Sequence, residues 1–226
     1  MERFAVYWAA DDGPFADRTA AWLGWDAATG RPVPQPAIPG LPRPLADLTA
    51  EPRKYGFHGT IRAPFRPAAG VDEAALRRAC AAMAGGLRAV AMPGLALHDL
   101  DGFLALVPEG GEGPLRTLAA EVVRATDPLR APLTPAEVAR RRPERLTPRQ
   151  RDLLDRWGYP FVMEEFRFHL TLTGPLSPDE APAAREAARA WLAPVLPRPF
   201  RIDALWLFGE DARGSFHRLH RIPLAA

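Results

Sequence analysis

Hydrophobic and polar positions along this chain follow two periods, one suited to strands and one to helices. Phe4 to Ala9 is a short aromatic and β-branched run that predicts a first strand, and the spacing from Phe15 to Leu23 predicts a short helix. Gly56 to Phe65 predicts a strand and Asp72 to Ala84 a helix. Strands over Arg88 to Leu97 and Gly102 to Val107 meet at Asp101-Gly102, a dipeptide that accepts the positive φ values of a tight hairpin. Pro114 to Ala125 predicts another helix. Two further helix starts are explicit, Thr134-Pro135-Ala136-Glu137 and Thr147-Pro148-Arg149-Gln150. Each has a capping hydroxyl, proline at the first helical position, and Glu or Gln at the third. A strand is predicted over Glu164 to Thr173. Ser177-Pro178-Asp179-Glu180 opens a helix to about Ala193, and Phe200 to Phe208 and Ser215 to Pro223 close the chain as strands.

Between these elements lies a stretch that resists regular structure. From Ala27 to Arg53 the prolines Pro32, Pro34, Pro36, Pro39, Pro42, Pro44 and Pro52 exclude a stable long helix. A connection of that length is either a lid or binding loop or a surface excursion, and the sequence leaves both open. On either side, the order motif strand, helix, strand pair occurs twice. The motif strands fall within 54–66 and 164–174, with a basic helical hairpin inserted at about 128–158. This faint duplication predicts an α+β fold of two similar lobes in one bilobal domain over 1–226. The Arg140-Arg141-Arg142 run of the insertion reads as a solvated helix face rather than a substrate contact.

Composition narrows the class. The 226 residues are 47% hydrophobic and 25% charged, enough for a sizeable core and unlike a disordered or fibrous chain. No apolar run approaches the ~20 residues that span a bilayer, so no membrane association is expected. Met1 to Trp8 reaches Asp11-Asp12 too soon to hold a signal-peptide apolar region, and a cytoplasmic location is expected. The formal net charge is +2, too balanced to predict nucleic-acid binding. Every basic residue but Lys54 is arginine, a side chain whose planar fork suits phosphate oxygens. Cys80, the single cysteine, reads as an inert buried thiol in a helix. No cluster has zinc-ligand spacing, neither serine sits in Gly-x-Ser-x-Gly, and Gly110-Gly111-Glu112-Gly113 lacks the Lys-Ser/Thr ending of a phosphate loop.

The chemistry lies in a repeated pattern. Phe57-His58-Gly59-Thr60-Ile61 and Phe168-His169-Leu170-Thr171-Leu172 both read aromatic, His, any residue, Thr, aliphatic. In a strand, residues i and i+2 share a face. His58, Thr60 and Arg62 then oppose Phe57 and Ile61, while Arg167, His169 and Thr171 oppose Phe168 and Leu170. If the two rows line one cleft, two imidazoles, several hydroxyls and two guanidiniums converge there. Phosphodiester cleavage asks for that set: a base for the attacking oxygen, an acid for the departing one, and fixed donors for the phosphate. No metal or other cofactor is needed, and the sequence does not say which histidine is acid and which is base.

The paired His-x-Thr motifs resemble the two-histidine (2H) phosphoesterase superfamily, which includes RNA ligase-like cyclic phosphodiesterases. The stretches Arg53 to Phe65 and Glu165 to Gly174, with Arg3 to Trp8 and Ala21 to Gly24, are similar to one branch in particular. That branch is a little-characterised group of phosphonate metabolism proteins whose genes occur beside carbon–phosphorus lyase genes. The resemblance implies a bilobal arrangement of two antiparallel sheets with outer helices, related by a pseudo-two-fold about a central cleft. It carries over His58 and His169 as catalytic residues and Thr60 and Thr171 as substrate-binding ones. Relatives of that branch often have Ala at Gly59 and Lys at Arg62. Arg62, Arg167, Tyr7 and Tyr55 are candidate substrate-binding residues, the last three equally open to a packing role. The implied reaction is hydrolytic opening of a small cyclic phosphate, a ribosyl cyclic phosphate from phosphonate breakdown. The alternatives are a 2′,3′-cyclic nucleotide or RNA end as substrate, or a non-catalytic module that binds RNA or a nucleotide.

Overall fold

A computed structural model describes residues 1–225. Its elements run β1 (Arg3–Trp8), α1 (Pro14–Leu23), β2 (Trp25–Asp26), β3 (Arg31–Pro32), α2 (Leu45–Leu48), α3 (Ala50–Arg53), β4 (Gly59–Phe65) and α4 (Glu73–Ala84). There follow β5 (Val90–Met92), β6 (Leu95–Asp99), β7 (Leu104–Pro108), α5 (Gly113–Thr126), α6 (Pro135–Arg140) and α7 (Pro148–Trp157). The chain continues through β8 (Leu170–Thr171), α8 (Ala181–Leu192), β9 (Phe200–Ile202), β10 (Ala204–Glu210) and β11 (Phe216–Pro223). The α+β class is as expected, with every named strand pair antiparallel. Among the described residues no helix is long and apolar enough to cross a membrane.

Local chemistry accounts for most element ends. Thr134 and Thr147 accept the amide protons of Glu137 and Gln150, whose side chains bond back to the cap residues, so both capping boxes form. Asp101 and Gly102 both have positive φ, as a type I′ hairpin requires, and the Leu100 N–H bonds the Phe103 carbonyl at 2.8 Å. The second motif strand is shorter than its pattern suggests. Residues 163–165 form a helical turn, and only Leu170 and Thr171 join the ladder. Beyond them, the Leu172 and Thr173 amides share the Leu104 carbonyl, while Thr173 Oγ1 accepts the Leu104 N–H at 3.0 Å. A side chain thus takes the place of the next ladder bond.

The two expected sheets meet edge to edge. The strand order is β11-β10-β1-β4-β8-β7-β6, one seven-stranded sheet joined at the ladder pair Gly59↔Leu170. The strand pairs are exchanged relative to sequence: β6-β7, which follows the first motif, pairs with the second motif strand, and β10-β11 lies on the side of the first. Alternation along β1 shows the two faces. Phe4, Val6 and Trp8 join the main core with Ile61, Phe168, Leu170 and residues of α1, α4, α5 and α8. Tyr7, Ala5 and Ala9 point the other way, into a small apolar cluster with Phe208 and Phe216. Helices therefore cover one face, and the other carries the motif side chains.

Candidate active site

The ladder pair Gly59↔Leu170 fixes the geometry of both motifs. Extended one step to either side, this single antiparallel pair directs Thr60 towards His169 and His58 towards Thr171, each histidine lying just before its strand. Gly59 and Leu170 point to the core, so alternation turns the flanking polar side chains to the open face, where His58, Thr60 and Thr171 line one cavity. The Phe168 ring packs closely over the Gly59 backbone. A Cβ at Gly59 would lie 2.2 Å from Phe168 Cζ and 3.0 Å from Leu170 Cδ2.

Each imidazole is oriented by the same device. His58 Nδ1 donates to the Gly56 carbonyl at 2.9 Å, and His169 Nδ1 donates to the Arg167 carbonyl at 3.0 Å. The proton held on Nδ1 leaves Nε2 as the working nitrogen in the neutral ring. On His58, Nε2 lies 3.2 Å from Thr60 Oγ1, so the hydroxyl donates to it. Gly56 itself has φ 70°, and a Cβ there would lie 2.8 Å from the Ala27 Cβ, so the turn that offers this carbonyl calls for glycine.

The surroundings of the rings differ. Tyr7 stacks on His58 with centroids 4.0 Å apart, and Tyr55 lies 5.6 Å away. Burial, opposed by the Gly56 carbonyl and reinforced by His169, pushes the His58 pKa down to about 4. Burial also raises Tyr7 well above the usual phenol range, keeping it a neutral hydroxyl. Both histidines keep some exposed surface, and the His169 ring lies 5.8 Å from Phe103.

A cavity of about 930 Å³ lies over this face. Tyr7, Tyr55, His58, Thr60 and Thr171 line it; His169 stands beside it, cross-strand to Thr60 and against the lining residue Phe103. Two candidates fall outside. Arg167 is exposed and does not line the cavity. Arg62 is buried, donating to the Trp157 carbonyl at 3.0 Å and to Asp127 at 3.2 Å. The expectation that it shares a face with Thr60 fails because the β1–β4 register slips, pairing Tyr7 with Thr60 but Val6 with Arg62. Arg62 instead ties the first motif strand to both ends of the helical insertion.

Other segments meet the cavity only through tertiary packing. Arg140, Arg141 and Arg142, read from sequence as a solvated face, line it together with Tyr159. The signal that points to them is a cationic run at the end of a six-residue helix in an insertion between the motifs. Of the proline-rich stretch, only Glu51 and Pro52 at its end contribute, with Lys54 just beyond. Cys80 is buried in α4, and burial raises its thiol to about 11. That suits the inert role read from sequence.

A family model described as a protein of unknown function (DUF1045) matches residues 60–217, and the chain belongs to that family. Over its whole length it is 40% identical to the ribose 1,5-bisphosphate phosphokinase PhnN of Janthinobacterium sp. (strain Marseille). Over 97% of its length it is 37% identical to the protein of the same name from Laribacter hongkongensis (strain HLHK9). The chain spans about half the length of these curated relatives, 51% of each. Among solved structures, TT0787 of Thermus thermophilus aligns over 98% of this chain and 97% of its own, with a TM-score of 0.46 and 14% identity. LigT of E. coli in its apo form aligns over 100% and 98%, with a TM-score of 0.45 and 13% identity.

Proposed function

We propose that this chain is a phosphoesterase of the two-histidine type, opening a small cyclic phosphodiester with water. The observation that carries the reading is the Gly59↔Leu170 pair, whose register sets two His-Thr couples across one seam on the open face. In this reading His58 is the general base. Its Nε2 is unprotonated at neutral pH and takes a proton from the attacking water as the new P–O bond forms. His169 is the general acid in this reading; its Nε2–H donates to the ring oxygen as the second P–O bond breaks. The product is a phosphomonoester beside a free hydroxyl. Thr60 turns its hydroxyl from His58 to a non-bridging phosphate oxygen when substrate arrives, and Thr171 holds the other. Tyr7 and Tyr55 are positioning and packing groups, Tyr7 setting the burial of His58.

The substrate class favoured is a ribosyl cyclic phosphate. Relatives named for a ribose bisphosphate kinase embed a matching half in one polypeptide. We infer that the kinase chemistry in that name lies in the part of those relatives that this chain does not match. This chain has no Gly-x-x-x-x-Gly-Lys-Ser/Thr motif, and its one lysine, Lys54, follows no glycine-rich loop. A second reading, a 2′,3′-cyclic nucleotide or RNA end, draws on the aromatic lining of Tyr7, Tyr55, Phe103 and Tyr159, which suits base stacking.

The test is a panel of cyclic phosphates assayed with EDTA present. Ring opening is expected in wild type and lost in His58→Ala and His169→Ala. A metal requirement, or activity that survives both substitutions, overturns the mechanism. Binding without turnover on every member supports the non-catalytic module instead.

A further inference from the structure

The cavity is larger than one phosphate requires, and its charge is uneven. Its volume of about 930 Å³ sits at the upper end of small-ligand sites. His58, Thr60 and Thr171 line it; the insertion brings Arg140, Arg141 and Arg142 to the same space, and Lys54 adds a fourth cation. Two carboxylates, Glu51 and Asp101, also line it, so the cations outnumber them.

These arginines are placed differently from their neighbours. Arg130 and Arg149 of the same insertion are paired with Asp127 and Glu164, and Arg66 is held by Glu137. Among the described residues no carboxylate lies within 4.0 Å of Arg140, Arg141 or Arg142. Arg141 is held by an aromatic face, its Cζ 4.9 Å from the Tyr159 ring centroid. Stacking of that kind fixes the guanidinium plane while leaving its donor edge unused. The end of α6 attracts cations through its free carbonyls. That attraction explains why arginines occur there, but not why three consecutive ones share a cavity with a histidine-threonine site. A run of unpaired guanidiniums facing such a space has the donors of a phosphate site.

We propose that Arg140, Arg141 and Arg142 form a second anion subsite, so that the preferred substrate carries a phosphomonoester in addition to the cyclic phosphate that reacts. The inference rests on the reading of the histidine end as the reaction centre, and names the substrate class more closely. Arg62 is a positioning residue for this subsite. Through Asp127 and the Trp157 carbonyl it anchors both ends of the insertion that carries the arginines.

Equilibrium binding separates this subsite from catalysis. By calorimetry, adenosine 2′,5′-bisphosphate is expected to bind wild type at least about 10-fold more tightly than adenosine 2′-monophosphate, the preference falling with added salt. In the Arg140→Ala/Arg141→Ala/Arg142→Ala variant the ratio should collapse towards one. The single variant Arg141→Gln, at a partly exposed position, should lower it several-fold with little demand on folding. Equal affinity for the two ligands in wild type, or a preference that survives the triple substitution, overturns the subsite. In turnover, adenosine 2′,3′-cyclic phosphate bearing a 5′-phosphate should be preferred in kcat/KM, mainly through KM. If neither cyclic substrate turns over while the arginine-dependent binding preference stands, the catalytic reading fails and the subsite holds.

Discussion

Phe57-His58-Gly59-Thr60 and Phe168-His169-Leu170-Thr171 share a pattern and a device, an Nδ1–H bonded to the carbonyl two residues earlier. They differ in what surrounds the ring. His58 lies beneath Tyr7 with Thr60 on its Nε2, whereas His169 stands at the edge near Phe103, and no hydrogen bond joins it to Thr171 among the described residues. They differ also in the middle residue: Leu170 stands in one motif and Gly59 in the other, where a Cβ would lie 2.2 Å from the Phe168 ring. A repeated motif can therefore supply two unlike groups. Repetition sets which atoms the motifs carry, and packing sets what surrounds each ring, as the stacked Tyr7 does for His58.

The widest separation of the two roles comes from the leaving group. His58→Ala and His169→Ala are each expected to lower kcat on a cyclic phosphate by about 10²–10⁴. On a diester with a p-nitrophenolate leaving group, which departs without a proton, the His169→Ala loss should shrink well below that of His58→Ala. Equal losses on both substrates would erase the asymmetry.

Acidity sharpens the same contrast. With the His58 pKa near 4, kcat/KM is expected to hold as pH falls from 7 to about 5 and to drop only near 4. Tyr7→Ala removes the stacked ring, so that limb should climb towards the ordinary histidine value near 6.5. An unmoved limb would mean that Tyr7 does not set the burial of His58. The same lowered pKa makes the folded chain bind fewer protons than the unfolded chain between about 4 and 6.5. Its contribution to stability is complete above that window and is lost as pH falls through it. Urea midpoints should therefore decline less steeply with acid in His58→Leu.

The middle residues give a smaller effect. Gly59→Ala puts a methyl group against the Phe168 ring and should cost about 1–3 kcal/mol in urea unfolding, with Phe168→Leu recovering most of it. No loss in the single variant would show that the strands separate more easily than the ladder pair implies. The smallest change is remote from both rings. Thr147→Ala removes one capping bond of α7 and should lower stability by about 1 kcal/mol while moving neither limb of the pH profile.

Much of this was legible in the chain itself where the causes are local. The Thr-Pro-x-Glu/Gln starts at Thr134 and Thr147, the Asp101-Gly102 turn and the two His-x-Thr rows all follow from short-range chemistry. What escaped depends on contacts between distant segments. Arg62 leaves the cleft because the β1–β4 register slips by a residue, and no periodicity in β4 encodes that. The second motif strand stops at Thr171 because the Thr173 hydroxyl substitutes for a ladder bond. The arginines of the insertion line the cavity through tertiary packing, in an insertion that Arg62 on β4 ties at both ends.

The exchanged strand pairs have a consequence for biosynthesis. β4 leans on β1, β1 on β10, and β10 on β11, so the environment of His58 is completed by residues made last in this segment. The Phe216–Pro223 strand must leave the ribosome before the flank behind the first imidazole can close. A polypeptide halted after the second motif would hold both His-x-Thr motifs yet lack the strands that flank the first.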